Sequence, residues 1–160
     1  MTGWKSFADA LHRKRSIAAR LRTTAGAAPM TLTSLVVHTA ADGERVGAMR
    51  VSASFFRTLG VQPGLGRSFL DAEDAAGAEP VAVISHALWR RAFGGAADVL
   101  GRTLATDTVR YRIVGVMPAG FRFPEAFGTA FRPEVWTPLR FSRNEAAARG
   151  AGYMFLLLRR

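Results

Sequence analysis

From Met30 onward, glycine, proline and aspartate turn signals cut the sequence at short intervals, leaving no segment room for a long helix and most of them room for a short strand. Residues 31–38 and 46–51, flanking Asp42-Gly43, predict a hairpin. Ser52 or Ser54 then caps a short helix whose apolar face is Phe55, Phe56 and Leu59, with Gly60 as its stop. Residues 61–79, turned by Pro63, Gly64 and Gly66, read as irregular, and no strand is expected there.

The apolar run of residues 81–84 lies between Pro80 and Ser85 and suits a strand buried on both faces. Ser85 caps a helix over residues 86–93 that Gly94-Gly95 ends, which makes one βα unit. A second hairpin is expected from residues 103–106 and 109–117 around Asp107-Thr108, because Val109, Tyr111 and Ile113 alternate with Arg110 and Arg112. After Pro118 an irregular loop carries Phe121, Phe123, Phe127 and Phe131, followed by a strand near residues 135–139, a helix over 143–149 and a strand-like run at 153–158. The fold class read from this order is α+β, two-layered, with a mixed, mostly antiparallel sheet and short helices.

At 160 residues the chain suits one domain with tails. Residues 1–28 form a basic tail, with residues 23–29 as its linker, and residues 29–160 form the domain. Trp4, Phe7, Leu11, Ala18 and Leu21 fall on a helical stripe that Lys14 interrupts, and Lys5, Arg13, Arg15, Arg20 and Arg22 make the polar side basic. Such a segment is either a loosely docked tail, the preferred reading, or a helix lying on an anionic membrane surface. It does not read as a signal peptide, because charge recurs where an unbroken apolar run is needed, and no stretch is long and apolar enough for a transmembrane helix.

The net charge of +10 would suit a nucleic-acid binder if it sat on the folded part, but residues 29–140 carry only +2, against +5 in residues 1–28 and +3 in residues 141–160. Nucleic acid is therefore not the expected partner.

The sequence has no cysteine, which removes disulfides, thiolate metal sites and cysteine nucleophiles. His12, His38 and His86 have no spacing that places two on one face, so no zinc site is expected. Ser85 and His86 are neighbours, and neighbours on a helix point apart, so Ser85 reads as a cap rather than a nucleophile. A small hydrolase using Ser85 or His86 stands as a minor alternative. Gly64 and Gly66 begin a dinucleotide fingerprint that Phe69 breaks, and no P-loop is present. Asp71, Glu73 and Asp74 open like a calcium loop, yet Ala75, Ala76 and Ala82 stand at the positions that decide it. The acidic group, with Glu79, is expected to solvate a loop and to pair with Arg67 at modest benefit. Leu65-Gly66-Arg67-Ser68 and Leu100-Gly101-Arg102-Thr103 are similar strings in which each glycine bends the chain and each arginine is available to carbonyls at the bend. No catalytic, cofactor-binding or metal-ligating residue is assigned, and no cofactor is expected.

Several strings come in a set order: Val51-Ser52-Ala53-Ser54-Phe55-Phe56, Leu59-Gly60-Val61-Gln62-Pro63, Gly66-Arg67-Ser68-Phe69, Val81-Ala82-Val83-Ile84-Ser85, Leu88-Trp89, Phe93-Gly94-Gly95, Gly101-Arg102-Thr103-Leu104 and Ile113-Val114-Gly115-Val116-Met117-Pro118. Phe121-Arg122-Phe123-Pro124 and Val135-Trp136-Thr137-Pro138-Leu139 extend them. Together, over roughly residues 31–160, they resemble the MacB-like periplasmic core domain of FtsX-like ABC transporter permeases, notably the orphan type with duplicated halves. The resemblance implies a non-catalytic extracytoplasmic domain inserted between the first two membrane helices of a permease half. Such a domain transmits movement between membrane helices and periplasmic partners or substrates, while a separate ATP-binding subunit hydrolyses ATP. The implied partners are permease transmembrane segments or a second permease half, and the implied location is the periplasmic side of the cell membrane. The apolar helix that should precede the domain is replaced by the basic tail, and the rest of the core domain is missing beyond Arg160, so the chain reads as a partial core domain. The competing reading is a membrane-surface or nucleic-acid-binding adaptor working through the basic N-terminus.

Overall fold

The structure is a computed structural model that describes residues 27–38, 43–122, 132–140 and 154–157. Within them the chain order is β1 (Ala27–His38), β2 (Gly43–Val51), α1 (Phe55–Leu59), β3 (Leu65–Gly66), a 3-10 turn (Asp71–Asp74), β4 (Val81–Ile84), α2 (His86–Phe93), β5 (Thr103–Thr106), β6 (Arg110–Val116), β7 (Pro133–Pro138) and β8 (Met154–Leu157). The expected helix over residues 143–149, the aromatic loop from Phe123 to Phe131 and the amphipathic tail lie outside the described residues.

All eight strands join one mixed sheet in the order β2-β7-β4-β6-β5-β1-β8, with β3 added on β6. Only β2–β7 and β4–β6 run parallel, so the mostly antiparallel α+β reading stands. The two hairpins form as the turn signals imply: β1 pairs β2 over nine residues, Met30↔Val51 through His38↔Gly43, and β5 pairs β6. Because β1 also pairs with β5 at its far end, the ladder β1-β2-β7-β4-β6-β5 returns to β1 and closes into a circuit. That closure joins strands far apart in sequence.

The four residues of β4 are all fully buried, as a continuous apolar run requires. Alternate side chains serve two cores. Val81 and Val83 join Met30, Met49, Val51 and Trp136 under the α1 residues Phe55 and Phe56, while Ala82 and Ile84 join Val37, Leu104, Ile113 and Val135 with Leu88 of α2. Phe56 is the hub of the first, with ring centroids 5.3 Å from Phe55 and 5.9 Å from both Phe69 and Trp136. The Phe55 and Trp136 rings meet Phe56 edge-on, an arrangement that adds to what burial itself contributes.

Three local expectations are corrected. Residues 27–29, read as linker, belong to β1, because β8 supplies a backbone partner that the local sequence cannot reveal. A strand does form within residues 61–79, the two-residue β3, held by β6 at Leu65↔Val116 and Gly66↔Gly115. Ser54 takes the N-cap position of α1, but its hydroxyl bonds Ser52 Oγ at 3.0 Å instead of a helix amide.

Candidate functional site

Two neighbouring residues of the βα unit carry the sequence-level suggestion of chemistry. Ser85 Oγ accepts the Leu88 amide at 3.0 Å, the N-cap bond expected of it, and donates to Glu134 Oε1 at 3.4 Å. Gly94, at φ 61°, closes the other end of α2. The His86 ring packs edge-on against Trp89, centroids 5.2 Å apart, and among the described residues it makes no hydrogen bond to a serine or carboxylate. The structure does not bring Ser85 and His86 together as nucleophile and base. His86, Trp89, Leu65, Val116 and Pro118 line a cleft of about 240 Å³, and His86 is the one titratable residue in its lining.

The other candidates are also placed apart. His38 Nε2 lies 2.6 Å from Asp107 Oδ1, at the end of β1 and the β5–β6 turn, and His12 is outside the described residues. Among the described residues no three histidine, aspartate or glutamate side chains gather as metal ligands would. Asp74 accepts the Ala53 amide at 3.0 Å, whereas Glu73 turns inward. Arg67 grips it from two nitrogens, at 2.7 and 3.0 Å, and the Leu70 amide adds a third bond at 2.7 Å. The expected pairing with Arg67 forms, and the expectation of a solvated loop is corrected at one residue: Glu73 is buried, so that pair lies inside the turn and not on its wet face. Burial pushes the Glu73 carboxyl upward, but the bonds from Arg67 and Leu70 outweigh it and hold the group below the usual glutamate range. The Arg112 guanidinium does the same for exposed Glu79, and Arg102 for Asp98.

Arg67 also donates to the Ser68 carbonyl at 3.0 Å, as its bend suggested, whereas Arg102 turns to Asp98 four residues earlier. The two similar strings meet β6 on adjoining stretches: the Arg67 amide bonds the Val114 carbonyl, and the Gly101 amide bonds the Ile113 carbonyl.

Sequence reasoning missed two fastenings because their partners are remote. Arg91 of α2 forks onto Glu44 at the start of β2, at 2.9 and 3.0 Å, and reaches Glu134 of β7 at 2.8 Å. Arg140, just after β7, donates to the Glu73 and Glu79 carbonyls at the two ends of the acidic loop. These side chains tie elements to one another; they do not converge on a shared cavity.

A third arrangement is made by backbone alone. Ala27–Met30 of β1 pairs antiparallel with Met154–Leu157 of β8, in the register Ala27↔Leu157 to Met30↔Met154. Residues 27–29 have β8 as their strand partner, since β2 begins to pair only at Met30.

The MacB-like periplasmic core domain model matches residues 3–159. The chain belongs to this family. Solved structures agree on the fold. The periplasmic region of MacB from Actinobacillus actinomycetemcomitans superposes with a TM-score of 0.63 at 16% identity, covering 89% of this chain and 63% of that one. The extracellular domain of the noncanonic ABC-type transporter YknZ from Gram-positive bacteria gives 0.53 at 14%, covering 71% of this chain and 54% of that one. A domain of a permease from Porphyromonas gingivalis gives 0.53 at 18%, covering 84% of this chain and 56% of that one. The chain thus spans less than two thirds of the length of each. No curated protein matches. As a MacB-like domain, the chain is an extracytoplasmic domain of the MacB/FtsX-like ABC transporter permease class, and among its described residues no helix is long and apolar enough to cross a membrane.

Proposed function

We propose that this MacB-like domain is a non-catalytic coupling module, which passes movement of permease membrane helices to periplasmic partners or substrates while a separate ATP-binding subunit hydrolyses ATP. The observation that supports this most is the β1–β8 pairing. Ala27 and Leu157 are paired side by side at one end of β1. From there β1 runs twelve residues, about 40 Å at roughly 3.3 Å per residue, and hydrogen-bonds in turn with β8, β2 and β5. A displacement applied at that end is delivered along one stiff element to both hairpins. Ser85 is engaged as a cap and Glu73, Glu79, Glu44 and Glu134 in ties to arginines, which suits a mechanical role.

The test places the protein in its membrane context. Ala87→Cys on the exposed face of α2 introduces the chain's one thiol, because the sequence contains no cysteine. With a donor dye there and an acceptor at the lipid surface of proteoliposomes holding the permease and its ATPase, energy transfer is expected to differ between nucleotide-free and ATP-vanadate states. Identical transfer in both, with ATP turnover intact, would rule out the coupling role.

A further inference from the structure

We propose that the β1–β5 contact is a seam along which the strand circuit opens, with the His38–Asp107 pair as its latch. The circuit is closed there by two residue pairs, Val37↔Thr106 and His38↔Ala105, whereas β1 and β2 share nine. The β4–β7 contact is equally short, but its residues Val83, Ile84, Val135 and Trp136 are all fully buried, and the Ser85 amide extends it to the Glu134 carbonyl. At the seam, His38 is exposed and Ala105 and Thr106 are half-buried, so water reaches the ladder. Short, wet ladders sit at the low end of local opening free energies.

The nine-pair ladder keeps β1 on β2, and side-chain ties anchor β2 in its turn. Arg91 forks onto Glu44, the residue opposite Val37, and so binds the start of β2 to α2 and β7. Across the seam the matching tie is His38 Nε2 to Asp107 Oδ1, with side chains 49% and 56% exposed. An exposed pair of that kind holds weakly. When this end of β1 parts from a neighbour it leaves β5 and stays with β2, uncovering Val37 and Leu104, which lie together in the second core. The inference rests on the coupling reading only for what drives the opening; the seam is a property of this chain by itself.

The absence of cysteine allows a direct test on the full 160-residue chain. Val37→Cys and Val83→Cys each place one thiol at a position 1% or less exposed, and Val116→Cys is a second reference from β6. Labelling with a thiol-reactive dye under native conditions is expected to modify Cys at 37 at least tenfold faster than at 83 or 116. Asp107→Asn should speed labelling at 37 a further two- to fivefold, the scale of an exposed polar contact, and leave the references unchanged. Equal rates at 37 and at the reference positions would overturn the seam, and an Asp107→Asn effect that is nil or common to all positions would overturn the latch. Because no membrane or ATPase is involved, this outcome is independent of the energy-transfer result.

Discussion

Arg67 and Glu73 face each other fork to fork, Nη1 donating to Oε2 and Nη2 to Oε1, and the Leu70 amide shares Oε2. The pair closes the turn between β3 and the acidic loop over a carboxylate that is only 12% exposed. Removing the arginine leaves a nearly buried charge with one amide for company. Arg67→Ala is expected to cost about 2 kcal/mol, the partial exposure of the guanidinium keeping the loss from being larger, and to lower Tm by about 4–8 °C. Adding Glu73→Gln to that variant should recover part of the loss, since the orphaned charge goes with it. A double variant no more stable than Arg67→Ala in urea melts would contradict this account.

The same bonds set an acid limit. In the unfolded chain Glu73 takes up its proton near the ordinary value of about 4.3, and in the folded chain only at lower pH. Across that interval the unfolded state binds more protons, so the contribution of Glu73 is fully present above about pH 5 and declines as the pH falls through the depressed folded value. Glu79 and Asp98 act with the same sign. Urea-unfolding free energies measured between pH 7 and 3 should fall at the acid end, and Glu73→Gln should flatten that slope. An unchanged slope in the variant would assign the acid sensitivity elsewhere.

Gly66 is where β3 crosses β6 too closely for a side chain. It sits at φ 73°, and a Cβ there would lie 2.2 Å from the Val114 carbonyl oxygen. Gly77, at φ 84°, has open space around the same position. Both substitutions to alanine are strained by backbone conformation, at roughly 1–2 kcal/mol, but only Gly66→Ala must also push two backbones apart. It should be the costlier by about 1 kcal/mol or more in thermal melts; equal losses would mean that β3 contributes no fixed crossing.

Ser85 is expected to behave as a cap. Ser85→Ala should lower stability by about 1 kcal/mol through the lost Leu88 bond, with near-ultraviolet circular dichroism unchanged. A variant with unaltered stability would remove the capping role.

How far the sequence was legible depended on how local each partner was. β4 and α2 announce themselves, because an apolar run between Pro80 and Ser85, a cap and a paired glycine stop all lie within residues 80–95. The strand segments flanking the two hairpin turns were legible for the same reason. The start of β1 was not: Ala27-Ala28-Pro29 has linker composition, and its strand character comes from β8, more than a hundred residues away. Circuit closure, the Arg91 ties and the burial of Glu73 are likewise non-local, and an acidic string by itself gives no sign of which carboxylate will turn inward. The family was legible through the order of many short strings, none of them diagnostic by itself.

The last prediction follows from that remoteness. If β8 is an added strand at the end of the ladder, deleting residues 154–160 removes four backbone pairs and leaves residues 27–29 without them, while Met30 keeps its partner Val51 and its fully buried place in the first core. Among the residues whose burial is described, both cores draw on strands that remain, so the shortened chain should fold, with a lower Tm and an unchanged aromatic circular dichroism signal from Phe56 and Trp136. Hydrogen exchange should then quicken at whichever of the Ala27 and Ala28 amides points at β8, since neighbouring strand amides face opposite edges, and stay slow through β4 and β6. Loss of the aromatic signal would show instead that β8 is part of the core and that the β1–β8 end cannot move without unfolding the domain.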